Sequence, residues 1–369
     1  MIFLETQKDA EDFAIGCCFF GTGGGGNADF GYRMLTDALT AGKKIQILDI
    51  SAIPDEYWII CPYLMGTSGP ETDETKQEKM RCGLTQQTVS NMPLAATKLL
   101  LSQSPHAQVS AIIPYEIGAA ATASAVATAA WLDLPVIDAD FVGRAVPEAS
   151  QMLPAIDGID LCPAASMDAY GNASIIHHAN NRMIFERMGK HLASASFGLI
   201  GQSVLLRHAG ELKKYMLSGT LSKALAVGKA FRAAQGDYSS LERNLQSIAH
   251  SKKIFEGVIA DFQGDTQEGY YVGNIIISDK KNNRLKIWFK NENHIAWLNN
   301  KPFLTSPDLI SIIDSGNVRP VVNNQLKTGM NVTVYGTPAH PKWYEEKNKT
   351  ANSPRYYSVD IDNVRVFEE

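Results

Sequence analysis

The sequence predicts a multidomain α/β plus all-β protein: an α/β domain on a mostly parallel sheet over residues 1–252, then a β-rich domain, barrel or sandwich, over 253–369. Two observations carry this. Over residues 1–150, short strand-like runs alternate with helix-length apolar patterns, the signature of βα units around a largely parallel sheet. From about residue 253 the pattern changes to short alternating runs separated by Asn, Gly and Lys turns, which reads as strands alone.

A helical pattern over residues 6–18 leads into Phe19-Phe20 and then Gly21-Thr22-Gly23-Gly24-Gly25-Gly26-Asn27. Glycine costs roughly 0.5–1 kcal/mol against alanine in a regular element, so this cluster marks a flexible turn or backbone that approaches a ligand closely. Asn27 and Asp29 are good caps for a helix over 29–42, whose start would present free N–H groups to an anion or polar ring. Strands are expected at 45–50, 58–65, 109–114 and 135–138, with helices at 84–102 and 118–132. The charged stretch 66–83 reads as a mobile loop, a lid or a plain excursion. Residues 152–250 read as helices with a few strands, at 173–176 and 204–206, and a helix at 219–235 capped by Ser218 or Thr220. In the second part, strands are expected at 255–259, 270–277, 284–289, 330–335 and 356–359.

With 45% hydrophobic and 20% charged residues the composition is that of an ordinary globular chain. A net charge of −5 without a basic block argues against nucleic acid, and no apolar run reaches membrane-spanning length or resembles a signal peptide. Cys17, Cys18, Cys61, Cys82 and Cys162 form no Cys-x-x-Cys pair, which fits core thiols in a reducing cytoplasm. Cys18 is expected to be buried and inert.

Ligands of parallel sheets collect at the carboxyl ends of strands, which directs attention to the polar residues there. Residues 136–148 end a buried strand in Asp138 and Asp140, followed by Gly143, Arg144 and Glu148. If the strand runs on, both aspartates share a face, and two close carboxylates raise one pKa, giving an acid/base pair or a cation site. Capping aspartates and a structural ion pair would read the same way. Arg144 could fork onto Glu148 or onto a substrate carboxylate. Glu116 ends the preceding strand, so Asn27, Glu116, Asp138 and Asp140 are expected around one cleft. Asn291-Glu292-Asn293 and Pro307-Asp308-Leu309-Ile310, where a strand begins, are turn chemistry or face an interdomain cleft. His177 and His178 are adjacent and point oppositely, so they cannot chelate one ion together.

These segments resemble the S-methyl thiohydantoin desulfurase family, often found beside or fused to hydantoinase/oxoprolinase subunits. The resemblance rests on Gly21 to Gly26, Glu116-Ile117-Gly118, the 136–148 block, Pro163-Ala164-Ala165 and Gly219-Thr220-Leu221-Ser222, and in the second domain on 291–293, 307–310 and 336–343. It implies hydrolysis of a small thiohydantoin-like ring with release of a thiol. On that reading Asp138 or Asp140 activates water, with Glu116 beside them, and the amides of Gly23, Gly24, Gly25 and Gly26 stabilise developing charge. Arg144 orients a carboxylate, and Asn27, Glu148, Asn291 and Glu292 contact substrate. A divalent metal on the carboxylates stays open, as do a homo-oligomer and a hydantoinase-type partner subunit. Two further readings stand beside it: a non-catalytic partner of such an enzyme, and a nucleotide-using enzyme that lacks the phosphate-loop lysine.

Overall fold

A capping box starts the first helix: Thr6 Oγ1 accepts from the Asp9 amide while the Asp9 carboxylate accepts from the Thr6 amide, which satisfies donors a helix start leaves unpaired. The structure, a computed structural model, describes residues 1–67, 69–234 and 237–366. Ser68 of the expected loop, Gln235 at the end of the expected helix and the last three residues of the expected β-rich domain lie outside them.

The first part runs β1 (Ile2–Leu4), α1 (Gln7–Phe20), α2 (Ala28–Thr40), β2 (Ile45–Leu48), β3 (Trp58–Gly66), α3 (Asp73–Arg81), α4 (Met92–Ser102), β4 (Val109–Ile112) and α5 (Ala119–Trp131). It continues through β5 (Val136–Ile137), β6 (Ala139–Asp140), α6 (Leu153–Ile156), β7 (Ala164–Met167), β8 (Ala173–Ile176), α7 (Arg182–Ala195) and β9 (Leu199–His208). Last come α8 (Ala209–Leu212), β10 (Leu217–Ser218), α9 (Thr220–Ala234) and α10 (Tyr238–Ala249). Eight strands form one sheet in the order β1-β2-β5-β4-β3-β9-β7-β8.

This sheet is mixed, which corrects the expectation of a mostly parallel one. Only β2–β5, β5–β4 and β4–β3 pair in parallel; the other neighbours are antiparallel. The physical reason lies in the connections. Helical crossovers enforce parallel pairing near β4, whereas a tight turn joins β7 to β8 and so makes them antiparallel. In that turn Asp168 Oδ1 accepts from the Tyr170 and Asn172 amides. The stretch 66–83 carries helix α3, capped by Thr72, and the helix expected over 84–102 forms only from Met92, where Asn91 caps it.

From residue 252 all strands belong to a second, antiparallel sheet: β11 (Lys252–Gln267), β12 (Tyr270–Ser278), β13 (Arg284–Lys290), β14 (Glu292–Leu298), β15 (Lys301–Thr305), β16 (Leu309–Asp314), β17 (Arg319–Pro320) and β18 (Asn331–Thr337). Its order is β15-β14-β13-β12-β11-β18-β16-β17. Alternation sets its faces: Leu285, Ile287 and Phe289 are fully buried while the residues between them point outward. The strand expected at 356–359 is absent. Ser353 caps a short 3-10 turn there, Pro354–Tyr357. Leu309, Ile313, Tyr335 and Trp343 of this second part pack into the core of the first, where helix α1 lies against the second sheet: Phe19 meets the Tyr335 ring and its carbonyl accepts from the Ser311 hydroxyl. Among the described residues no helix is long and apolar enough to cross a membrane.

Candidate functional site

Helix α1 stops where glycine begins: the Gly21 amide donates to Cys17 O, and the Gly24 amide to Gly21 O. The loop is then clamped from both sides. Gly25 O accepts from the Ala120 and Ala121 amides, so a loop carbonyl caps the start of α5. From the second sheet, the Asn293 amide donates to Thr22 O and the Asn323 amide to Gly23 O. A Cβ on Gly25 would lie 2.7 Å from Gly118 Cα, at a φ of +66° that side chains resist, so glycine is required here by both contact and conformation.

The turn between β13 and β14 supplies the facing group. Asn291, at φ +56°, is tied to Tyr271 through both its amide and its side-chain oxygen. This presents Glu292 to the glycine loop. The Gly25 amide helps hold the Glu292 carboxyl's pKa down, and a Cβ on Gly24 would sit 1.9 Å from Glu292 Oε1. Gly24→Ala is therefore expected to push the Glu292 carboxylate off the loop, and a crystal structure of the variant would show the displaced side chain.

Gly25, Gly26, Asn27, Glu116, Asn291 and Glu292 line a cavity of about 310 Å³, within the range of small-molecule sites. Tyr63, Tyr115 and Phe30 supply aromatic wall, Lys190 a buried cation and Arg33 an exposed one. The Glu116 carboxylate accepts from the Val146 amide at 2.7 Å, and Glu292 Oε2 has no hydrogen-bond partner among the described residues.

Burial removes water from both glutamates and raises both pKa values well above the usual carboxylate range. Glu292 also raises Glu116; Arg144 and Lys190 hold Glu292 down, and the Val146 amide and Lys190 do the same to Glu116. Two such carboxyls do not readily ionise together, so one keeps its proton where the other has lost it. Such a divided pair is the arrangement that general acid/base chemistry needs.

Lys190 Nζ donates to Gly66 O at 2.6 Å and stands 4.1 Å from the Tyr270 ring centroid. Beside it, burial raises Glu186 to about 6. The Glu186 carboxylate takes the Ala149 amide and the Tyr270 hydroxyl. Sequence reading passed over Lys190 and Glu186. They sit four apart on α7, a spacing shared with countless surface ion pairs, and that Glu-x-x-x-Lys is the only local signal.

Several expected site residues lie elsewhere. Asp138 Oδ1 accepts from the Leu221 and Ser222 amides and so caps α9 from 83 residues away, which corrects the expected cap by Ser218 or Thr220; such a cap is worth about 0.5–2 kcal/mol. Asp140, fully buried, accepts from the Val142 and Gly143 amides, and burial raises it to about 7. Neither aspartate lines the cavity with Asn27 and Glu116. Arg144 does not fork onto Glu148: it donates to Ala145 O, Pro307 O, Asp308 O, Asn293 O and Thr22 Oγ1. Glu148 instead pairs with Lys290 at 2.7 Å and accepts from Tyr356.

Of the expected glycine amides, Gly24's is spent on Gly21 O and Gly25's acts on the Glu292 carboxyl; Gly23 and Gly24 do not line the cavity. His177 and His178 are exposed, and Cys18 is buried with its thiol pushed up to about 12. Among the described residues no group of three or more His, Cys, Asp or Glu could hold a metal ion.

Comparison with known proteins agrees with the resemblance read from the sequence. A crystal structure of a protein from Chromobacterium violaceum is 20% identical and superposes with a TM-score of 0.79, covering 100% of both chains, which shows a shared fold. No curated protein matches the chain. Residues 8–178 match the family described as S-Me-THD-like, N-terminal domain, and residues 179–366 match S-Me-THD-like, C-terminal domain. The chain belongs to the S-Me-THD-like family.

Proposed function

We propose that this protein hydrolyses a small five-membered S-alkyl thiohydantoin-like ring, replacing the sulfur substituent by oxygen and releasing a thiol. The family supports the reaction class, and one observation carries the mechanism: Glu116 and Glu292 line a single small-molecule cavity as a coupled pair, both with raised pKa values. The proposed roles differ from those the sequence suggested for Asp138 and Asp140, because those carboxylates are occupied with backbone amides.

Ionised Glu292 takes a proton from water as its oxygen bonds to the ring carbon that bears sulfur. Glu116 gives its proton to the adjacent ring nitrogen. As the tetrahedral centre collapses to a carbonyl, Glu116 recovers a proton from the new hydroxyl. Glu292 gives its own to the departing sulfur, the carbon–sulfur bond breaks, and both glutamates return to their starting states. Lys190 steadies charge on the carboxylates, and Tyr63 and Tyr115 hold the ring. The test is incubation of the purified chain with an S-methyl thiohydantoin and quantification of thiol. The reading predicts equal amounts of thiol and hydantoin. Absence of both, with a hydantoinase-type subunit then restoring turnover, would favour a non-catalytic partner instead.

A further inference from the structure

The motifs that the first cavity leaves unused gather at a second one. The segments following Asp140, around Thr220, at Leu309 and from Thr337 to Pro341 line a separate cavity of about 320 Å³, between the first part and the second sheet. Among the described residues its charged lining is of one sign. Lys223 and Arg365 bring cations, Arg365 lying over the Tyr344 ring at 4.0 Å. His340 Nδ1 accepts from the Lys342 amide at 3.2 Å, and burial lowers its pKa, so the ring is neutral and carries its proton on Nε2 as a donor. The Thr220 hydroxyl, 9% exposed, acts on the Asp140 carboxyl, yet its oxygen completes no hydrogen bond among the described residues. Among the described residues no carboxylate lines this cavity. Asp308, just behind it, is saturated by the Ala339 and Val366 amides and the Tyr344 hydroxyl. Phe20, Ile117 and Leu309 make the remaining wall apolar.

From these donors and this wall we infer that the second cavity binds a small organic carboxylate with an apolar body. Its acid group meets Lys223, Thr220 and His340, and its body packs on Phe20, Ile117 and Leu309. The site is independent of the chemistry proposed for the first cavity. It nevertheless touches the same two segments, since Ile117 follows Glu116 and Phe20 precedes the glycine loop.

Isothermal titration of the full chain with phenylacetate tests this, with 2-phenylethanol as the neutral counterpart. Phenylacetate is expected to bind saturably and the alcohol roughly tenfold or more weakly, the factor that loss of one charge-assisted contact gives. Lys223→Met and Thr220→Val are expected to weaken phenylacetate by a similar factor. Lys223 is exposed, so the first variant folds, and equal unfolding midpoints verify both. Glu292→Gln, in the other cavity, leaves phenylacetate binding intact. Three results would overturn the inference: no saturable binding, wild-type affinity in both second-cavity variants, or loss of binding in Glu292→Gln alone.

Discussion

Glu292→Gln and Glu116→Gln are each expected to lower kcat by about 10²–10⁴-fold, the usual share of a positioned acid or base, while KM changes little. Glutamine keeps the shape of the side chain and removes only its proton exchange. Folding supplies a control with the opposite sign. Both carboxyls have pKa values raised in the folded state, so their contribution to stability is present at low pH and lost as pH rises through the raised values. Each glutamine variant should therefore be more stable than the wild type on the alkaline side, even as it loses activity. Loss of activity together with loss of stability there would point to a structural role.

The second large effect concerns Arg144. Its fully buried guanidinium makes five hydrogen bonds, four to carbonyls and one to Thr22, and joins the turns of the second sheet to the glycine loop. It is also the first of the charges that hold Glu292 down. Arg144→Leu leaves Pro307 O, Asp308 O and Asn293 O short of a donor and Glu292 short of a counter-charge. Removing one member of a buried charged set costs about 3–5 kcal/mol, to be read from the denaturant midpoint. Lysine restores the charge without the planar fork and is expected to recover only part of that loss. A Leu variant within about 1 kcal/mol of wild type, the range of exposed pairs, would remove Arg144 from this role.

What the sequence disclosed, and what it hid, follows from how local each cause is. The glycine loop, Glu116 and the Asn291-Glu292 turn were legible because strained or closely approached backbone leaves residue types that have few other uses. Asp138 and Asp140 were misplaced for the reverse reason. A carboxylate at a strand end looks the same whether it faces a cleft or caps a helix, and the amides that Asp138 caps lie 83 and 84 residues later. Glu186 and Lys190 were invisible because only the packing of α7 against the cavity turns that face of the helix inward. The direction of β7, β8 and β9 was equally out of reach, since periodicity marks a strand but not its neighbour.

Thiol release from an S-methyl thiohydantoin, measured against pH for the wild type and Glu292→Gln, bears most directly on the paired glutamates. The rate is predicted to rise as Glu292 loses its proton well above the ordinary glutamate value near 4.3, and to fall again where Glu116 loses its own, with the rising limb absent in Glu292→Gln. A rising limb centred on that ordinary value, or one that survives unchanged in the variant, would contradict the account.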